Sequence, residues 1–118
     1  MKIAVDGIGG DFASYDVVQG IALALEEIPD LEIVLTGNKA SLGNEIAPIE
    51  NRSCTEILPT EQVITMHDKS RDALLKKKQS SMHKTIELVK DDYEKGIVTA
   101  GNTGSYMAIS IFTLCRIK

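Results

Sequence analysis

The sequence predicts an α/β fold with a largely parallel sheet. Three observations predict it. Short apolar runs with β-branched members alternate with segments of helical spacing along the whole chain. Glycine-containing turns stand where the runs stop. Finally, 118 residues with 43% hydrophobic and 25% charged members suit one small globular domain rather than a disordered chain.

The elements follow in order. Residues 2–5 form a first strand, stopped by the turn DGIGGD at 6–11. Val17, Ile21, Ala24, Leu25 and Ile28 then recur at helical spacing, with Ser14 as the candidate N-cap and Pro29-Asp30 as the stop. Residues 31–35 read as the second strand, ended by Thr36-Gly37-Asn38, and 39–46 as a short, poorly marked helix. Residues 55–58 make a third strand before Pro59, whereas 63–66 fit strand and loop equally. A helix opens at Ser70 and loses its apolar members over KKKQSS at 76–81. Helical spacing resumes at Met82, Ile86, Val89 and Tyr93. Residues 96–99 are the fourth strand and 103–115 the last helix. That helix is apolar nearly all round, so it needs cover on several sides, and nothing follows in the sequence to supply it.

Composition removes several function classes. A net charge of −4 gives no global footprint for nucleic acid. Cys54 and Cys115 have no metal-ligand spacing and read as buried reduced thiols. No secretory signal opens the chain, and no apolar run nears the roughly 18 residues of a membrane span, so a cytoplasmic location is expected.

Parallel sheets bind ligands at the carboxyl ends of their strands. Two marked turns lie there, DGIGGD after the first strand and GNTG, Gly101 to Gly104, after the fourth. Their glycines let backbone approach a ligand, and helix-start amides attract anions. The first turn is neither a dinucleotide nor a Walker A motif. For Asp11, a turn aspartate and a carboxylate that orients a nucleophile or a basic side chain stand level; Asp6, nearer the strand, reads as structural. Lys76-Lys77-Lys78 interrupts an apolar stripe and precedes Ser80 and Ser81, both good N-caps. Lysine ammonium beside free amides suits phosphate. His67 and His83 lie 16 apart and read as surface histidines. No covalent nucleophile stands out, which leaves positioning and electrostatics as the catalytic means.

Three motifs in this order carry a family resemblance. KIAVDGIGGDFAS resembles a family opening like KIAVDAMGGDxAP. ALLKKKQSSM resembles ALRxKKxSSM, and TAGNTGSYM resembles SAGNTGAxM. Even the terminal CRIK resembles a GRIKG. Over all 118 residues the chain resembles the N-terminal third of the PlsX phosphate acyltransferases, bacterial proteins of fatty acid and phospholipid synthesis.

The resemblance implies a three-layer α/β/α fold, isocitrate/isopropylmalate dehydrogenase-like and related to phosphotransacetylases. It implies that inorganic phosphate attacks the thioester of acyl-acyl carrier protein, giving acyl phosphate for phospholipid synthesis. It implies a homodimer, loosely associated with the membrane, and neither metal nor organic cofactor. Carried over by motif, the catalytic candidates are Asp11, Lys77, Lys78 and Asn102. Gly9, Gly10, Ser80, Ser81, Gly101, Thr103 and Gly104 are substrate-binding candidates. The GNTG turn and the Ser-Ser helix start would hold phosphate, and a lysine would supply charge to phosphate or oxyanion. Departures from the pattern are Gly7-Ile8 for Ala-Met, Ser14 and Ser70 for prolines, His67 for an aspartate and Leu75 for an arginine. The family chain is nearly three times as long, so residues 1–118 are expected to be the N-terminal part of one larger domain, inactive and poorly soluble alone. Two other readings stand beside this one: a phosphotransacetylase-like enzyme using acyl-coenzyme A, and a truncated, non-catalytic anion-binding fragment.

Overall fold

The computed structural model describes residues 2–8, 13–38, 42–50, 53–90 and 96–114. Four strands alternate with helices: β1 is Lys2–Asp6, β2 Glu32–Gly37, β3 Thr55–Pro59 and β4 Gly96–Val98. They form one sheet in the order β3-β2-β1-β4, and every pairing is parallel. Ala4 lies between Val34 and Ile97, and Asp6 lies beside Thr36. The helices are α1 (Ala13–Glu27), α2 (Ala47–Glu50, entered through a 3-10 turn at Gly43–Ile46), α3 (Ser70–Lys76), α4 (Ser81–Lys90) and α5 (Thr103–Leu114).

Side chains alternate across a strand, and here each face has its own core. Val5, Ile33 and Leu35 face α1 and α2, packing with Val18, Ile21, Leu25, Leu42, Ile46 and Ile49. Helices α3, α4 and α5 bury a second cluster of Ile64, Ala73, Met82, Ile86 and Ile109, with Ile97 of β4 against it. The result is three layers, α/β/α. Pro59 ends β3 at the edge of the sheet, where its missing N–H is tolerated.

Most element expectations agree with this, and the differences have physical reasons. Helix α1 opens at Ala13, so Ser14 lies inside it rather than capping it. The short helical stretch sits later than expected, at 43–50, since Ile46 and Ile49 complete the first core; residues 39–41 lie outside the described ones. Residues 63–66 are loop. The basic run does divide two helices. The Gln62 side chain bonds both sides of the break, donating from Nε2 to Lys76 O at 3.2 Å and accepting the Gln79 amide at Oε1 at 2.8 Å.

His83 corrects the expectation of a surface histidine. It is 4% exposed, and its Nε2 donates to the Ala73 carbonyl at 3.0 Å. Helix α4 packs against the sheet and against α5, so a wider arc of it is buried than its apolar stripe alone would need. Cys54 is a free, half-buried thiol against the first core, and Cys115 lies outside the described residues. Among the described residues, apolar surface stays open on α5 and beside β4. Phe112 of α5 is 73% exposed, with Met107 and Ile111 also exposed, as expected of an uncovered last helix. Val98 of edge strand β4 borders an apolar groove of about 510 Å³ shared with Val17, Ile21 and Ala24 of α1.

Candidate active site

From β1 the chain moves to β2 and β3 on one side and returns to β4 on the other. The strand order therefore reverses between β1 and β4, and a ligand crevice is expected at their carboxyl ends. Three of the singled-out sequence stretches meet there. Asp6, the last residue of β1, is 2% exposed. Its Oδ1 accepts Ser81 Oγ at 2.6 Å and the Ile8 amide at 3.1 Å, and its Oδ2 accepts Thr99 Oγ1 at 3.0 Å. One carboxylate thus joins the first turn, the start of α4 and the turn after β4, across 75 and 93 positions of chain.

The network continues under α4. Thr85 Oγ1 lies 2.6 Å from both Ser81 O and Thr36 Oγ1, and Thr36 Oγ1 in turn reaches Ser81 O at 3.2 Å and Val5 O at 3.3 Å. Both threonines are fully buried. Thr36, Thr85 and Thr99 were not singled out from the sequence. A signal existed for one of them: alternation through Ala4–Asp6 and Val34–Thr36 puts two polar side chains on a buried face, which demands partners.

The helix starts differ in what they leave free. Ser80 is the N-cap of α4, its buried Oγ accepting the His83 amide at 3.2 Å. The Ser81 amide donates to Gln62 O and the Lys84 amide to Ser80 O. The Ser81 hydroxyl proton is held by Asp6. At α5, Asn102 is the N-cap and accepts the Ser105 amide at Oδ1 at 3.1 Å. Its Nδ2 donates to Asp68 O at 2.8 Å and Thr65 O at 3.0 Å, which fastens the 65–68 loop to the helix start. The Gly101 amide donates to Thr99 Oγ1 at 3.1 Å. Thr103 and Gly104 are exposed, and their amides donate to no described group. A groove of about 380 Å³ lined by Ile97, Thr99, Gly101, Thr103 and Tyr106 lies beside them. Gly104 meets the start of α3 so closely that a Cβ there would stand 2.7 Å from Ser70 Oγ.

The two lysines part company. Lys77 Nζ donates to Asp68 Oδ2 at 2.5 Å and to Val63 O at 2.8 Å, so its charge braces the 63–68 loop. Lys78 lines a separate groove with Leu74, Leu75, His83, Glu87, Lys90 and Phe112, none of which belongs to the strand-end turns. Gly9, Gly10 and Asp11 lie outside the described residues. Among the described residues no group of His, Cys, Asp and Glu could hold a metal ion.

The Lys77 hydrogen bond, followed by the Thr65 amide, holds the Asp68 carboxyl below the usual carboxylate range. A depressed folded value stabilises the fold above the unfolded-state pKa of about 3.9 and loses that contribution as pH falls through the folded value. Asp68→Asn is therefore expected to lower stability by about 1 kcal/mol at pH 7, given its partial exposure. The gap from the unsubstituted chain should narrow as pH falls below the unfolded-state value. Urea midpoints across an acid pH series check this, and a gap that does not narrow at all with falling pH would mean the carboxylate charge is not its cause.

A family model described as fatty acid synthesis protein matches residues 1–118. The chain is 44% identical over 119 residues to a phosphate acyltransferase of Clostridium tetani, covering 100% of this chain and 36% of that protein. It is 38% identical over 120 residues to a phosphate acyltransferase of Halothermothrix orenii, covering 99% of this chain and 35% of the relative. It is 36% identical over 118 residues to a phosphate acyltransferase of a Nitratiruptor species, covering 100% of this chain and 35% of the relative. The chain spans about a third of the length of these relatives.

Proposed function

Because the chain belongs to the fatty acid synthesis protein family, we propose that it forms the phosphate-holding part of an acyltransferase of fatty acid and phospholipid synthesis. In this reading the acyl donor is the thioester of acyl-acyl carrier protein and the acceptor is inorganic phosphate. A phosphate oxygen attacks the thioester carbon. The new C–O bond forms, the C–S bond breaks with its electron pair on sulfur, and the thiolate takes up the proton that the phosphoryl group sheds. Acyl phosphate and free carrier protein result. The enzyme would act as a homodimer resting loosely on the membrane. No described helix is long and apolar enough to cross one.

The convergence of the three turns on Asp6 carries the reading. It supports a crevice at the strand-order reversal where the amides of Thr103 and Gly104, exposed residues whose amides donate to no described group, can cradle an anion. Phosphate as its own nucleophile asks the protein only to hold it near the thioester and to stabilise the oxyanion. Asn102 and Lys77 then serve by holding the 63–68 loop against that cradle.

The test is thiol release from palmitoyl-acyl carrier protein by the polypeptide at its natural length, with and without orthophosphate. Release is expected to require both orthophosphate and the carrier protein. Equal release from palmitoyl-coenzyme A would move the assignment to a phosphotransacetylase-like reaction. No release, with orthophosphate still bound, would leave an anion-binding protein without this reaction.

A further inference from the structure

We propose that Asp6 is the positioning residue of this site: without touching the anion, its buried carboxylate sets the Thr99–Gly104 turn and the start of α4 in place. The inference rests on the reading that these turns hold orthophosphate, and it assigns a task to a residue that the reaction itself does not use.

Three donors reach Asp6, each from a different turn. An ionised carboxylate only accepts, so the hydroxyl protons of Ser81 and Thr99 must point at it. Those protons are then closed to a phosphate oxygen, and both hydroxyls work as struts. Thr99 passes the constraint outward. While its hydroxyl donates inward to Asp6, the same oxygen accepts the Gly101 amide at 3.1 Å, which sets the plane of the turn two residues before the exposed Thr103 amide. Ser81 passes it along α4, where its carbonyl accepts Thr85 Oγ1. Contact between Asp6 and a bound anion would be repulsive, and at 2% exposure the carboxylate is withheld from it. Such outer partners typically fix the geometry on which a binding shell depends.

Ser81 and Thr99 donate to different oxygens of Asp6, and asparagine replaces one of these oxygens with an NH2 donor, so one of the two hydroxyls loses its acceptor there. Thr99→Val keeps the side-chain shape and removes the link, while Thr99→Ser keeps the link. The experiment titrates inorganic orthophosphate by calorimetry into the natural-length polypeptide and its Asp6→Asn, Thr99→Val and Thr99→Ser variants. Amide hydrogen exchange at Gly101, Thr103 and Gly104 is read on the same samples without phosphate, below the thermal transition of each. Asp6→Asn and Thr99→Val are each expected to weaken orthophosphate binding about tenfold and to speed exchange through the turn, with Thr99→Ser close to the unsubstituted protein. In thiol-release kinetics the loss should fall on the KM for phosphate rather than on kcat. A folded Asp6→Asn protein that binds orthophosphate normally overturns the proposal. So does exchange unchanged by Thr99→Val, whether or not the protein binds phosphate. Faster exchange in a protein that never bound orthophosphate would uphold the positioning role of Asp6 and sink the functional reading instead.

Discussion

Asn102→Ala is expected to lower the unfolding free energy by about 3 kcal/mol and to release the 65–68 loop from the start of α5. The side chain does two jobs. Its oxygen caps the helix through the Ser105 amide, worth about 1–2 kcal/mol. Its amide nitrogen donates to the carbonyls of Thr65 and Asp68, each bond contributing about 0.5–1.5 kcal/mol. Asn102→Asp separates the jobs, since aspartate caps as well as asparagine but cannot donate to the loop carbonyls. Urea unfolding would show the alanine variant less stable than the aspartate one. Hydrogen exchange at the Thr65 and Asp68 amides should be fast in both. Protection of those amides in the aspartate variant would mean that Lys77 alone holds the loop, through Asp68 and Val63.

Leu35→Ala is expected to cost about 4 kcal/mol. Leu35 is fully buried in β2, between β1 and β3, and packs in the first core. Neighbours on both sides of the sheet limit collapse into the cavity. Ile86→Ala in the second core should cost about 2–5 kcal/mol. Both cores lie against the one sheet, on its opposite faces, so each variant should shift the urea midpoint at an unchanged slope, in one transition. Two transitions in either variant would show that the layers unfold separately.

How much of this was legible in the sequence follows from periodicity. The α3–α4 break was legible because KKKQSS has no apolar member, and each helix of the pair keeps its own spacing. The strands were legible to within a residue or two because β-branched runs end at glycine or proline. His83 was misread, since burial of a polar residue depends on a partner and not on a stripe; its partner is a backbone carbonyl of another helix. Lys77 and Lys78 were indistinguishable as neighbours in a charged run. One lies beside Asp68 and the other on a different groove because the chain turns between α3 and α4.

The sequence by itself determined the alternating elements, the parallel class, a helix start at Ser80-Ser81 and the family, since all of these rest on local spacing, short motifs or direct comparison. Only the tertiary structure decided that Ser81 and Thr99 meet on the buried carboxylate of Asp6. Each polar group there is stable only beside a partner 75 or 93 residues away, and no local pattern records such a pairing.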